Sequence, residues 1–202
     1  MYRVGVLLLD GFALMSYASL VEPFRAANFL DNKKLYEIMN LTEKKQGAVS
    51  SSGLRVESDY ALGDFPVLDL LMVVAGGDPF QYENKSLFNW INKFARFGVM
   101  IGGVSGGPII LVKSGLMKDY RMTVHWEHAP SLLEIYDDLL LEKSLFVFDR
   151  DRITCAGGTA PIDMALALIA RRQGTSFAQF VSDWFLHTEI RPSGGPQRSN
   201  LV

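Results

Sequence analysis

The sequence VMIGGVSGGPIILVKSGL, residues 99–116, decides the fold of this chain. Its first three residues are apolar and match a strand buried inside a parallel sheet. Gly102 and Gly103 allow backbone angles that a Cβ atom would forbid, and Pro108 fits the first turn of a helix. The stretch therefore predicts a buried strand, a tight turn that carries Ser105, and a helix.

Residues 103–107 also match the pattern G-x-S-x-G, a turn that exposes a side chain at the carboxyl end of a strand. The start of the helix behind this turn offers free N–H groups and a partial positive charge. Ser105 is therefore the leading functional residue, with Gly106 beside it. The alternative is that a tight turn simply needs a small residue at this position.

Composition sets limits on the function. A chain of 202 residues with 49% hydrophobic residues can form one domain with a full core, and its net charge of -2 gives no electrostatic footprint for nucleic acid. The single cysteine, Cys155, excludes an internal disulfide and a multi-cysteine zinc site, and its apolar context favours an ordinary core thiol. The apolar N-terminal stretch is too short to span a bilayer and lacks a signal-peptide layout, so we expect a cytoplasmic protein without a membrane partner.

Strands and helices are predicted to alternate along the chain. Strands are expected at 3–9, 36–42, 54–62 (a weak strand or a hairpin), 68–75, 99–101 and 121–126, with a hairpin of 145–148 and 152–156. Helices are expected from residue 14, with an interruption at Glu22-Pro23, and at 84–97, after Ser105, at 129–141, from 161 to 170 and at 176–186. This order predicts an α/β fold, a three-layer sandwich around a mostly parallel central sheet.

Three glycine turns follow predicted strands, and in parallel sheets ligands bind at the carboxyl ends of the strands. The turns are Gly76-Gly77-Asp78, the Ser105 turn and Gly157-Gly158-Thr159. We therefore expect the three turns to converge on one pocket.

A serine nucleophile would need a base within hydrogen-bonding reach, and the candidates are His125, His128 and His187. His125 is favoured because it follows the Ser105 helix, although a histidine beside Trp126 could equally be a structural donor. His187 is interpreted as structural. Aromatic side chains near the predicted loops could hold a cationic ligand or could belong to the core; they are Phe12, Tyr17, Phe80 and Trp126.

Glu22 is an acidic residue in an apolar context, so it must find a partner if it is buried, and otherwise it faces solvent. No phosphate loop, dinucleotide-binding fingerprint or metal-ligand spacing is present, so neither a cofactor nor a metal is expected. The last residues, IRPSGGPQRSNLV, are polar and contain Pro and Gly. They predict a linker that forms no packed element.

Six segments together resemble the ThiJ/PfpI superfamily, whose fold is the flavodoxin-like, class I glutamine-amidotransferase-like fold. More narrowly, they resemble the sensing domain of AraC-type transcriptional regulators of the amidase-like group. The segments are LLLDGF, LVEPFRAAN, VAGGDPF, GGVSGGPIILVKSGLM, RMTVHWEHAP and RITCAGGTAPIDMALALI.

The resemblance implies a sensing domain over residues 1–188 and a linker over 189–202 that leads to a helix-turn-helix domain absent from this chain. DNA would then be bound only through the missing domain, and a homodimer is expected. Regulators of this group are similar to sensors of small nitrogen compounds such as amino acids, carnitine or glycine betaine. The implied ligand-binding residues are Glu22, Gly76, Gly77, Asp78, Ser105, Gly106, His125, Trp126, Gly158 and Thr159.

Enzymes of this superfamily carry a cysteine where this chain has Ser105, and a serine hydroxyl needs a stronger general base than a thiol does. We therefore expect a domain without enzymatic activity that binds a small-molecule effector. The rival hypothesis is a hydrolase or amidase that uses Ser105 and His125. Against it, the sequence shows no evident acidic residue that would orient His125. A third hypothesis is a dimerisation module with a vestigial pocket.

Overall fold

A computed structural model describes residues 1–199 of the chain. Its strands are β1 (Tyr2–Leu8), β2 (Tyr36–Thr42), β3 (Ala48–Val49), β4 (Arg55–Val56), β5 (Tyr60–Ala61), β6 (Leu70–Ala75), β7 (Met100–Ser105), β8 (Arg121–Met122), β9 (Leu140–Leu141), β10 (Phe146–Asp149) and β11 (Arg152–Cys155). Its helices are α1 (Leu14–Asp31), α2 (Lys85–Arg96), α3 (Gly107–Lys113), α4 (Ala129–Ile135), α5 (Ala160–Gln173) and α6 (Thr175–Trp184), with a short 3-10 helix at Pro79–Gln81.

The central sheet has seven strands in the order β10-β11-β7-β6-β1-β2-β5. Neighbouring strands run parallel, except that β10 and β11 form the predicted antiparallel hairpin. The strand that ends in Ser105, β7, lies between β6 and β11. The turns that follow β6 and β11 therefore flank Ser105, because the carboxyl ends of parallel strands meet at one edge of the sheet.

Helices cover both faces of this sheet, which confirms the three-layer α/β architecture. One core packs α1, α5 and α6 against the sheet, and the other packs α2 and α3 against the opposite face. Strand β1 supplies both cores, because successive side chains of a strand point to opposite faces: Val4, Val6 and Leu8 enter the first core, and Leu7 the second.

Several predicted boundaries were wrong. The expected interruption at Glu22-Pro23 is absent from α1, which runs through Pro23; this proline is buried, and its packing offsets the hydrogen bond that its nitrogen cannot donate. Strand β8 ends at Met122, so His125 and Trp126 lie in a turn and not in a strand. The predicted helix 129–141 ends at Ile135.

The polar C-terminal segment, expected to stay unpacked, is packed against the domain. Residues 190–198 pack back onto the domain, with the backbone N–H of Leu145 donating to the carbonyl of Ser193 at 2.8 Å and Gly195 buried beside Leu145. The polar composition of this segment conceals these contacts, because they are made to residues far away in the sequence. Asn200–Val202 of the predicted linker lie outside the described residues.

Candidate functional site

Ser105 ends β7 in a left-handed backbone conformation, with φ of 60°. Residues other than glycine rarely adopt this conformation, and such strain is found at functional sites. The next residue continues the tight turn, because the N–H of Gly106 donates to the carbonyl of Ala75 at 3.1 Å. That N–H is therefore occupied, which removes one of the donors that the sequence suggested for a ligand.

The third glycine turn touches Ser105 directly. A Cβ atom built on Gly157 would lie 2.9 Å from the Cα and Cβ atoms of Ser105 and 3.2 Å from its Oγ atom. Gly157 also has φ of 101°, which L side chains rarely adopt. The close approach of the two turns therefore requires glycine at this position.

The second glycine turn lies on the other side of the Ser105 turn. A Cβ atom on Gly106 would lie 3.1 Å from the ring of Pro79, which follows Asp78. Gly77 has φ of 63°, and the Asp78 carboxylate accepts the N–H of Phe80 at 3.1 Å to cap the short 3-10 helix. Gly76, Gly77 and Asp78 thus shape a turn that lies beside the Ser105 turn, but neither of these two turns lines the cleft next to Gly157, so the structure does not bring all three turns to one pocket.

A cleft of about 200 Å³, which we call the elbow cleft, opens beside Gly157. It brings together four of the predicted ligand-binding residues, His125, Trp126, Gly158 and Thr159. Its remaining lining residues are Leu145, Ala156, Gly157, Ala160, Arg191 and Gln197. Ser105 is not part of this lining and borders the cleft through Gly157.

A second and larger cavity adjoins the elbow cleft. This apolar cavity has a volume of about 330 Å³ and shares Trp126 and Gln197 with the elbow cleft. Its other lining residues are Val124, Ala129, Leu133, Leu141, Glu142, Lys143, Pro196 and Arg198. Trp126 is 43% exposed and thus borders both spaces.

The hydrogen bonding of His125 indicates which ring nitrogen carries the proton. Its Nδ1 atom accepts the backbone N–H of Glu127 at 3.3 Å. This contact favours the neutral tautomer in which Nε2 carries the proton and acts as a donor and not as a base. Among the described residues, no hydrogen bond joins His125 to Ser105 or to a carboxylate.

His128 lies next to His125 and Phe80, with ring centroids 5.9 Å and 5.8 Å away. Burial lowers the pKa of His128, and the neighbouring His125 lowers it further, while Glu127 and Asp78 act in the opposite direction. The imidazole of His128 is thus held in its neutral form more strongly than a solvated histidine.

Glu22 is not where the sequence placed it. Its carboxylate pairs with Arg25 one helical turn later, at 2.6 Å, and it lines a different cleft together with Pro23, Ile162 and Phe185. The expected role of Glu22 beside Ser105 is therefore a wrong prediction.

The residue of α1 that reaches the glycine turns is Ser16. Its side chain is buried, and its Oγ atom accepts the N–H of Gly158 at 2.9 Å. Six residues separate Ser16 from Glu22, which corresponds to roughly 240° around the helix. The two side chains consequently leave α1 in different directions.

Residues near the C-terminus contribute to the site in a way that the sequence does not predict. Asp163 of α5 is fully buried; its carboxylate accepts the backbone N–H and two guanidinium N–H groups of Arg191, at 2.7–2.9 Å, and contacts Nε2 of His187 at 2.9 Å. His187 is thus structural, as predicted. An acidic residue inside the apolar segment APIDMALALI was the available signal, because a buried carboxylate needs a partner.

Other reactive groups are absent or inert. Cys155 is fully buried, and burial raises the pKa of its thiol to about 12. Within residues 1–199, no group of three or more His, Cys, Asp or Glu side chains could hold a metal ion. No helix in that part of the chain is long and apolar enough to cross a membrane.

Comparison with known proteins relates this geometry to a family. The model of the DJ-1/PfpI family matches residues 2–171. The chain is 42% identical over 201 residues to the HTH-type transcriptional regulator GlxA of Rhizobium meliloti, covering 99% of this chain and 62% of that protein. It is 41% identical over 196 residues to the HTH-type transcriptional regulator CdhR of Pseudomonas aeruginosa, covering 97% of this chain and 58% of that one.

Solved structures agree with this relationship. A crystal structure of an AraC family transcriptional regulator from Pseudomonas putida superposes with a TM-score of 0.82 at 26% identity, covering 92% of this chain and all of that one. Oxidised DJ-1 from Toxoplasma gondii, at 16% identity and a TM-score of 0.74 over 94% of this chain and all of that one, shares the fold. The chain spans roughly three-fifths of the length of the curated regulators named above.

Proposed function

The chain belongs to the DJ-1/PfpI family, and we propose that it is the effector-sensing domain of an AraC-type transcriptional regulator. Its similarity to regulators over nearly its whole length supports this assignment. The proposal places DNA binding in a further domain, and it makes this domain a homodimer whose geometry changes when an effector binds. A net charge of -2 is consistent with that division of roles.

The observation that carries the proposal is the hydrogen bonding of His125. A hydrolase would need this histidine as the general base for Ser105, with a carboxylate on its other nitrogen. Instead, Nδ1 of His125 accepts the amide of Glu127, which favours the proton on Nε2. Ser105 therefore lacks an activating base in this arrangement. The strained turn at Ser105 instead supports Gly157 and so shapes the elbow cleft.

The effector is a small nitrogen-containing molecule bound in the elbow cleft. Trp126 offers the face of an indole ring, which attracts amines and quaternary ammonium groups. At the other side of the cleft, the guanidinium of Arg191 donates to the Thr159 hydroxyl at 3.0 Å and supplies a positive charge to this lining. An amino acid or a betaine, with a cationic and an anionic end, matches both features.

A thermal-shift screen of the purified chain against amines, amino acids, betaines and carnitine tests the proposal. A ligand present at 100 times its dissociation constant should stabilise the fold by about 2.7 kcal/mol. Trp126→Leu should remove this stabilisation, since the indole is half-exposed and lines the cleft. Glu22→Gln is the matched control and should leave it unchanged, because Glu22 lies in another cleft.

A fluorophosphonate probe examines the rival hydrolase hypothesis. The sensing proposal expects no stable labelling of Ser105, because no base activates its hydroxyl. Rapid labelling of Ser105, lost in Ser105→Ala and in His125→Ala, together with no stabilisation by any member of the panel, would overturn the proposal in favour of the hydrolase.

A further inference from the structure

The C-terminal strap, which we define as residues 187–198, closes one side of both ligand spaces. It is fixed at its start by the buried carboxylate of Asp163, which contacts His187 and Arg191. Near its end, Nε2 of Gln197 donates to the carbonyl of Ser144 at 2.7 Å. Because Arg191 and Gln197 line the elbow cleft, a molecule in that cleft touches the strap.

The last residue of the strap lies on Trp126. The guanidinium carbon of Arg198 is 4.3 Å from the centroid of the indole ring, and both residues line the apolar cavity. A cation over the face of tryptophan is the contact that an organic ammonium ion would make there. The protein's own cation thus occupies a position suited to a cationic ligand.

The docked end of the strap is held by the side-chain amide of Gln197. The two hydrogens on its Nε2 atom lie within reach of three oxygen atoms, those of Thr123, Val124 and Ser144. Its Oε1 atom is buried and has no hydrogen-bond partner among the described residues. Undocking this end would let Oε1 reach water, which offsets part of the cost of breaking the hydrogen bonds of Nε2.

We infer that Arg198 is an internal substitute for the effector's cation: the cationic head of an effector in the elbow cleft extends past Trp126 into the adjoining apolar cavity, displaces Arg198 from the indole ring and releases the end of the strap. This inference rests on the proposed function and narrows its ligand class to molecules with a positively charged head. When an organic cation replaces the guanidinium of Arg198, the net charge inside the apolar cavity stays the same. The other charged residues that line this cavity are Glu142 and Lys143. The strap is the C-terminal segment of the domain. Its release would therefore signal to the following residues that the cleft is occupied.

The test uses a fluorescent label at the end of the strap. Ser199→Cys introduces a thiol that can be labelled selectively with bimane, because Cys155 is fully buried. Tryptophan quenches bimane at short range, so Trp126 should quench the label while the strap is docked. Choline is the probe, and 3,3-dimethylbutan-1-ol, its uncharged analogue of equal shape, is the control.

We expect choline to bind in calorimetric titrations and to raise the bimane fluorescence, whereas the uncharged analogue does neither. Arg198→Gln should raise the fluorescence without ligand and tighten choline binding by about two- to fivefold, the factor that corresponds to a solvent-exposed cation–π contact. Trp126→Phe should abolish quenching and thereby verify the source of the signal.

Two results would overturn the inference while leaving the proposed sensing function intact. If choline binds with the same affinity to Arg198→Gln and to the unmodified chain, and the fluorescence does not change, Arg198 is no substitute and the sensing function remains. If neither choline nor any member of the thermal-shift panel binds while the uncharged 3,3-dimethylbutan-1-ol does, the ligand class is wrong and the sensing function again remains. The absence of any binding in either experiment contradicts the function itself.

Discussion

Gly157 lies so close to Ser105 that a Cβ atom on it would stand 2.9 Å from the Cα and Cβ atoms of Ser105. Gly157→Ala should therefore lower the free energy of unfolding by about 2 kcal/mol, from backbone strain and the steric clash together. Gly158→Ala is the matched control: its φ is 61°, but nothing lies within 4 Å of the added methyl group, so only about 1 kcal/mol of strain is expected. Equal costs in urea denaturation would contradict the close packing of the two turns.

Asp163 should be the most sensitive charged residue for stability. Its carboxylate is fully buried and holds Arg191 and His187, so Asp163→Asn leaves a guanidinium without its counterion. We expect the free energy of unfolding to fall by about 3 kcal/mol in urea denaturation. Asp183→Asn on the exposed surface of α6 should change it by less than about 0.5 kcal/mol. A small effect at Asp163 would show that the strap is not anchored there.

The lowered pKa of His128 makes stability depend on pH. Below its ordinary value of 6.5, the unfolded chain takes up a proton on this histidine, while burial keeps the folded chain from doing so. The unfolded state thus binds more protons, and stability falls as the pH drops below about 6.5. Melting temperatures between pH 7.5 and 5.5 should decline less steeply for His128→Gln than for the unmodified chain. Identical slopes would mean that His128 is not shielded from water.

The reactivity of a thiol should differ between the core and the turn at Ser105. Cys155 is fully buried and burial raises its pKa to about 12, so the unmodified chain should not react with a disulfide reagent until it is denatured. Ser105→Cys places a thiol at the turn beside the elbow cleft and should give one rapidly reacting group in the folded protein. If the thiol of this variant reacts as slowly as Cys155, Ser105 is closed off from solvent.

Much of the fold could be predicted because its signals are local. Runs of apolar residues such as 70–75 end in glycine turns, and this combination indicates buried parallel strands whose turns meet at one edge of the sheet. The positions of Ser105, Gly157 and Thr159 followed from that rule. The predicted strand 121–126 is longer than β8 because Val124, beyond Met122, is buried without pairing in a sheet.

The errors arose where tertiary contacts decide the outcome. The direction of Glu22 depends on how α1 is rotated against the sheet, and the observed rotation points Ser16 towards the glycine turns instead. The packing of Arg191 and Gln197 depends on partners 28 and 53 residues away, Asp163 and Ser144. A polar segment with Pro and Gly carries no local sign of such partners, so it was interpreted as a linker.

Binding of an effector in the elbow cleft can be located by chemical-shift mapping of the isotopically labelled chain with a ligand from the thermal-shift screen. We expect the largest changes at the Trp126 indole N–H and at the amides of Gly157, Gly158 and Thr159, while the amide of Glu22 does not move. Changes that instead cluster around Glu22, Ile162 and Phe185 would place the ligand in the other cleft and refute binding in the elbow cleft.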